Sequence, residues 1–148
     1  MRKTYPVPGG IHPPENKTQS LQSPIEFAGI PSELVLPVSQ HIGAPAKPIV
    51  AVGDRVLKGQ KIADASGFVS VPVHAPTSGT VKAIEQRPLP HASGLDGLCV
   101  VIATDDKDEW AELSPMQSPE LASKEQLLNA IRDAGIAGTW GGDASPCA

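Results

Sequence analysis

The sequence predicts a mainly β domain, and two neighbouring stretches between residues 50 and 84 are the main reason. In the first, Gly53 and Gly59 flank a short run with apolar positions, and glycine supplies the positive φ that tight turns need. In the second, valines alternate with small or polar residues over residues 69–73, and a turn at residues 76–79 precedes another alternating run. We therefore expect short strands joined by tight corners.

The composition also favours strands over helices. The chain holds 16 prolines and 14 glycines among its 148 residues, and aromatic residues make up only 3%. Because proline and glycine disrupt helices, long helices are not expected, and the core should consist of Val, Ile, Leu and Ala. The net charge of -4 does not favour a basic surface that could bind nucleic acid, so we expect no nucleic-acid partner.

The two stretches together resemble the barrel-sandwich hybrid fold of biotinyl and lipoyl carrier domains. Residues 53–62 resemble the carriers' G-D-x-V-x-x-G-[QD]-x-[IL] run, and residues 75–81 resemble their A-P-x-x-G-x-V run. In those carriers the cofactor is attached to a lysine at the hairpin tip between the two halves. The corresponding segment, residues 64–70, contains no lysine. A biotin or lipoyl carrier therefore stays an alternative that lacks its attachment residue.

Charged residues in and just after the barrel are interpreted as solvated. Lys58, Lys61 and Lys82 lie in the predicted strands and turns, where surface charge is the ordinary role of lysine. Residues 105–109 place five charges in a row at the predicted exit of the barrel. Because no calcium-type loop is encoded there, we predict a solvated loop and no metal site.

Residues 1–33 are predicted to form an extended arm. The string at residues 9–17, G-G-I-H-P-P-E-N-K, cannot be helical, because its prolines lack a backbone donor and push the preceding residue toward extended geometry. On the residues alone, we expect a polyproline-like arm that packs along the barrel or along a neighbouring molecule.

The barrel itself is predicted over residues 34–104. Within it, the composition of residues 85–97 indicates a loop, and the apolar run at residues 98–103 indicates the buried strand that closes the barrel. A linker rich in acidic residues and proline is predicted over residues 105–122.

One short helix is predicted over residues 123–135. Ser123 and Gln126 form a capping-box pattern at its start, and Gly135 is placed to end it. A helix of about three turns cannot stand alone in water, so its apolar stripe must dock on something.

The string at residues 9–17 also makes the chain resemble the N-terminal region of the RnfC component of the Rnf electron transport complex, the RnfC/RsxC family. The resemblance continues through motifs at residues 40–44, 52–60, 72–81 and 131–138. Because separated motifs in the same order are hard to obtain by chance, the resemblance is specific, and it covers nearly the whole chain.

This resemblance implies a membrane-bound complex that moves electrons between ferredoxin and NAD and couples the transfer to sodium or proton translocation. The family's RnfC component is a peripheral cytoplasmic protein at the inner membrane, with an FMN- and NADH-binding domain, a β-grasp domain and two [4Fe-4S] clusters after its barrel. We expect no cofactor in the present sequence, which looks truncated or frame-shifted before those domains. The partners would be other subunits of the complex, and membrane association would come only through them.

The resemblance also implies that the barrel and its arm form a docking module without a catalytic role. The residues predicted to make the contact are Gly10, His12, Pro13, Pro14, Glu15 and Lys17. Whether the chain is part of an enzyme stays open, since no complete catalytic or cofactor site is recognised in it.

A weak remnant of a cofactor loop is predicted over residues 136–148 and the glycine before them. The sequence at residues 135–138 resembles the start of the family's glycine-rich loop, G-[IV]-x-G-x-G-G-A-G-F-P-T, which lies near the flavin and nicotinamide cofactors. The glycines assigned to it are Gly135, Gly138, Gly141 and Gly142. Because Asp143 replaces part of the pattern and Phe-Pro-Thr is missing, we expect a frayed tail. A fragment that binds FMN or NADH weakly stays an alternative.

Cysteine and histidine give no metal site or nucleophile. Cys99 lies in an apolar run and is predicted to be a small buried residue, and Cys147 is near the end of the chain. The four histidines lack the spacing that places two imidazoles on one helix face. We expect the His74 ring to hydrogen-bond locally.

The sequence contains no candidate membrane-spanning segment, since no segment approaches the ~20 apolar residues that cross a bilayer.

Overall fold

The computed structural model describes residue 9, residues 14–116 and residues 118–137. Strands dominate, as the sequence predicts, and one short helix follows them. The strands are β1 (Glu33–Pro37), β2 (Lys47–Pro48), β3 (Arg55–Val56), β4 (Lys61–Asp64), β5 (Val73–His74), β6 (Gly79–Pro88) and β7 (Asp96–Thr104). A short 3-10 turn at Pro119–Leu121 precedes the helix α1 (Lys124–Asp133).

The strands form two antiparallel sheets. One has four strands in the order β1-β7-β6-β3, and the other has three in the order β2-β4-β5. The long β6–β7 hairpin is the frame of the larger sheet, and its register shifts between Val81 and Ala83. Such a bulge increases strand twist, which lets a sheet curl toward a barrel.

The core lies between the two sheets and draws on both. Ile62 of β4, Val56 of β3 and Val81 of β6 are fully or almost fully buried, together with Val100 and Ile102 of β7. Full burial of each such side chain is worth about 1.5–3 kcal/mol. The strands predicted around residues 53–62 and 81–84 therefore supply the core, as expected.

Glycine corners occur where the sequence predicts them. Gly53 has a φ of 96° and Gly59 a φ of 80°, which side chains with a Cβ rarely adopt. The amide of Gly53 donates to the carbonyl of Val81, so the first corner is tied to β6.

The loop predicted over residues 85–97 is too long. β6 continues to Pro88 and β7 begins at Asp96, with Arg87 opposite Gly97. Pairing of the two strands prevails over a composition rich in proline and glycine, and Pro88 lies at the strand end, where a missing backbone donor costs least. The alternating run at residues 69–73 is also shorter as a strand than expected, since only Val73–His74 pairs with β4.

The predicted helix is confirmed, with its capping box. Ser123 accepts a hydrogen bond from the amide of Gln126 (3.2 Å), and the Gln126 side chain accepts one from the amide of Ser123 (2.8 Å). Gly135 follows the helix with a φ of 70°, as a C-terminal glycine should. In the part of the chain that the structure describes, no helix has the length and apolar character needed to cross a membrane.

Candidate functional site

Residues 14–29 of the arm are exposed throughout. Of the two alternatives expected for the arm, packing along the barrel therefore does not hold for this stretch. Among the predicted contact residues, Glu15 and Lys17 form an exposed ion pair at 3.5 Å, and Pro14 is exposed beside them. Gly10, His12 and Pro13 lie outside the described residues. Contact of the arm with a neighbouring molecule stays a prediction.

Two large apolar side chains of the arm are almost fully exposed. Ile25 is 105% exposed and Phe27 is 92% exposed, relative to an extended reference. The two residues are separated by one position on the same segment. Large apolar side chains left exposed are typical of a surface that binds a partner.

The arm is fastened to the barrel at its last residues. The hydroxyl of Thr104 donates to the carbonyl of Pro31 (2.6 Å), and the amide of Thr104 donates to the carbonyl of Ser32 (3.1 Å). These bonds join the start of β1 to the end of β7. Phe27 therefore lies only four residues before Pro31, where the arm is attached to the barrel.

Residues 64–70, which correspond to the hairpin tip of the carriers, are held by hydrogen bonds and contain no lysine. Ser70 is buried, donates to the carbonyl of Ala44 (2.9 Å) and accepts from the amide of Ser66 (3.2 Å). These bonds fold residues 64–70 against the loop before β2, and the side chain that projects is Phe68, which is 80% exposed. Phe68 has no nucleophile to acylate.

The three barrel lysines are paired with acidic residues. Lys82 is exposed, as the interpretation as a solvated charge predicts, whereas Lys58 and Lys61 are only partly exposed. Lys58 lies 2.6 Å from Asp108, and Lys61 lies 3.3 Å from Asp133 on α1. Lys82 pairs with Glu33 across the sheet (2.5 Å), and this hydrogen bond lowers the pKa of Glu33.

The acidic segment at residues 105–109, where the chain leaves the barrel, is also bound to the barrel. Ser78 donates to Asp105 (2.6 Å), and Thr77 donates to Asp108 (2.9 Å). Arg55 forms an ion pair with Glu109. The hydrogen bond from Ser78 lowers the pKa of Asp105, and the hydrogen bond from Lys58 lowers that of Asp108. Residues 105–109 are irregular, and residues 106, 107 and 109 are exposed, as the predicted solvated loop requires, but Asp105, Asp108 and Glu109 also have partners on the barrel.

Histidine and cysteine residues have local roles. The Nδ1 atom of His41 lies 3.0 Å from the carbonyl of Ile42, and Nε2 accepts from the amide of Val71 (3.2 Å). Cys99 is fully buried, as predicted, and burial raises the pKa of its thiol. No group of three or more His, Cys, Asp or Glu side chains able to hold a metal ion occurs among the described residues.

An open groove lies between the loop after β1 and the β6–β7 loop. Its volume is about 840 Å³, and its walls include Pro37, Ile42, Leu89 and His91. Sequence reasoning missed this groove, because its two walls are about fifty residues apart and their proximity depends on the pairing of β1 with β7.

The predicted glycine-rich remnant is described only at its first residue. Gly135 lies against the barrel, beside Pro72 and the ring of His74. Gly138, Gly141 and Gly142 lie outside the described residues, so the weak FMN or NADH site assigned to them stays a prediction.

Comparison with known proteins identifies the family. Residues 5–107 match the model of the RnfC barrel sandwich hybrid domain. A protein of Vibrio cholerae serotype O1, named as the C subunit of the ion-translocating oxidoreductase complex, is 50% identical over 139 residues, which are 94% of this chain and 18% of that protein. Proteins of the same name from Pseudomonas aeruginosa and Serratia proteamaculans are 48% and 46% identical, over 95% and 90% of this chain and 18% and 19% of their own lengths.

The chain thus spans less than a fifth of the length of these curated relatives. The described fold agrees with the matched family model, with two antiparallel sheets around one core and glycine corners at the matched motif. The barrel-sandwich hybrid predicted from residues 53–62 and 75–81 is confirmed, and the chain belongs to the RnfC barrel sandwich hybrid domain family.

Proposed function

We propose that this chain is a docking and assembly module of an ion-translocating oxidoreductase complex, and that its arm binds another subunit. The observation that supports the proposal most directly is the exposure of Ile25 and Phe27 on a segment anchored at Thr104. Burial of two such side chains against a partner would contribute about 3–6 kcal/mol before the cost of ordering the arm.

The name shared by the relatives supports the wider setting of this proposal. The complex would transfer electrons between ferredoxin and NAD and couple the transfer to ion movement. FMN, NADH and two [4Fe-4S] clusters would be bound by regions outside this chain. The chain would lie at the cytoplasmic side of the inner membrane, held there by other subunits.

A carrier function is the weaker candidate, and the tip residues argue against it. The projecting side chain is that of Phe68, and the nearest lysine along the chain, Lys61, is engaged by Asp64 and Asp133. Co-expression with a biotin or lipoyl ligase, followed by intact mass measurement, tests this alternative. An unmodified mass of 15.4 kDa excludes it.

Weak binding of FMN or NADH is the other candidate, and flavin fluorescence tests it. Titration of the chain into FMN should leave the fluorescence unchanged if the chain has only a docking role. Quenching that saturates below the millimolar range would instead assign a flavin site to the chain.

Co-purification with the membrane subunits of the complex tests the docking function. The wild-type chain should be recovered with them, and a variant with Ile25→Ser and Phe27→Ser should not, because polar residues remove the apolar contact. Leu95→Ser is a matched control, since Leu95 is exposed (68%) on the β6–β7 loop, away from the arm. Equal recovery of the arm variant and the control would contradict the proposal.

A further inference from the structure

The C-terminal end of α1 rests on one face of the barrel. Asp133, the last residue of the helix, lies 3.3 Å from Lys61 on β4. Two residues later, Gly135 lies against Pro72 and His74, at the start of β5. We call Lys61, Pro72 and His74 the helix seat.

The contact at Gly135 leaves no room for a side chain. A Cβ atom at this position would lie 2.8 Å from the carbonyl oxygen of Pro72 and 3.3 Å from Nδ1 of His74. The backbone also has a φ of 70°, which strains every L residue with a Cβ. Two independent requirements, space and backbone conformation, therefore both need glycine here.

The hydrogen bonds at the helix end fix the direction of the chain. The amide of Gly135 donates to the carbonyl of Arg132 (2.9 Å), and the amide of Ile136 donates to the carbonyl of Ile131 (3.3 Å). This pair of bonds is the Schellman motif, in which a left-handed residue turns the chain away from the helix axis. Gly135, the left-handed residue of this turn, is also the residue that contacts the seat.

A helix as short as α1 gains stability from its contacts with the barrel. It has only 10 residues, none of which is fully buried, and helices of that length are marginal in water even with good sequences. Its N-terminal capping box supplies hydrogen-bond partners for two backbone amides at the start of the helix. Both bonds lie within the segment at the helix start, so they do not attach the helix to the barrel. The contacts of Asp133 and Gly135 supply that attachment at the other end.

We propose that the helix seat holds α1 in one orientation on the barrel, so that residues 136 and 137, which follow the helix, leave it in one direction. The seat is thus an intramolecular interaction surface whose partner is the end of the chain's own helix. This inference rests on the chain's own contacts, and it does not depend on the proposed binding of the arm.

Amide hydrogen exchange of the 148-residue chain tests the seat. The amides at the end of α1 should be protected in the wild type, and Gly135→Ala should lower their protection about tenfold or more, because the αL strain and the contact with Pro72 both oppose docking. Gly94→Ala is the matched control, since Gly94 also has a positive φ but a Cβ there meets nothing within 4 Å. The barrel amides report that both variants are folded.

A second variant keeps the test independent of backbone strain. Lys61→Met removes the ion pair with Asp133 and should lower the protection of α1 by a smaller factor, whereas Lys47→Met, at an exposed position of β2, should not. Exchange of α1 amides in the wild type as fast as in an unstructured peptide would overturn the inference. So would equal effects of Gly135→Ala and Gly94→Ala on α1.

Discussion

The hydroxyl of Ser78 donates a hydrogen bond of 2.6 Å to the carboxylate of Asp105, a residue 27 positions further along the chain. The same hydroxyl accepts from the amide of Glu109 at 3.0 Å. Ser78 is fully buried in the turn before β6, so one small side chain holds the exit of the barrel against its central hairpin.

Substitution Ser78→Ala should destabilise the protein by about 1–3 kcal/mol, because the Glu109 amide loses its partner and Asp105 Oδ1 keeps only its hydrogen bond from the Lys107 amide. The midpoint of urea denaturation should fall accordingly, with an unchanged slope. Ser39→Ala, at an exposed position, should change the free energy of unfolding by less than about 0.5 kcal/mol. Equal midpoints for the two variants would show that the exit segment does not depend on Ser78.

Substitution Lys58→Met should loosen the same exit segment. Lys58 pairs with Asp108 at 2.6 Å, and its ammonium lies 4.8 Å from the centre of the Trp110 ring. Because the lysine side chain is only 27% exposed, the loss should be about 0.5–1.5 kcal/mol, with a smaller dependence on salt than in the wild type. Urea denaturation followed by Trp110 fluorescence, at low and at high salt, measures the loss of stability and its dependence on salt. No change beyond that of Lys47→Met would contradict the assignment.

Acidification should weaken the fold through His74. Burial is the main cause that lowers the pKa of His74, and the nearby charge of Lys61 on β4 adds to it, while Asp133 at the end of α1 opposes both. The unfolded chain therefore binds more protons than the folded one just below the ordinary histidine pKa of about 6.5. The stability that neutral His74 contributes should be complete above this pH and lost as the pH falls through the lower folded pKa.

The pH dependence of stability can be measured as the thermal unfolding midpoint between about pH 7.5 and pH 5, a range that includes the ordinary histidine pKa. The variant His74→Gln is the comparison. Glutamine keeps a polar side chain in the seat but does not titrate, so the variant should lose part of the pH dependence. An identical pH dependence in wild type and variant would assign the effect to other groups.

The parts of the fold that the sequence predicts are those encoded locally. Gly53 and Gly59 mark turns through their own conformational freedom, and the capping box of Ser123 and Gln126 spans only three residues. For the same reason, Gly135 could be assigned to the helix end before the structure was known.

The parts that sequence reasoning missed depend on distant partners. The ten-residue strand β6 contains a stretch that looks like a loop, and only its register with β7 makes that stretch a strand. Lys58 and Asp108 are 50 residues apart, so neither one alone indicates a pair. The sequence indicates such pairs only through its charges: residues 105–109 contain an excess of carboxylates, and Arg55 and Lys58 are cations elsewhere in the barrel.

The arm is the part of the chain that we propose contacts another subunit. A photo-crosslinking amino acid placed at Phe27, in cells that express the other subunits of the complex, tests this most directly. We predict a crosslink from position 27 to another subunit, and none from the same group at Leu95, an exposed position on the β6–β7 loop. Absence of a crosslink at position 27 in an assembled complex, or equal crosslinking from position 95, would contradict the docking role of the arm.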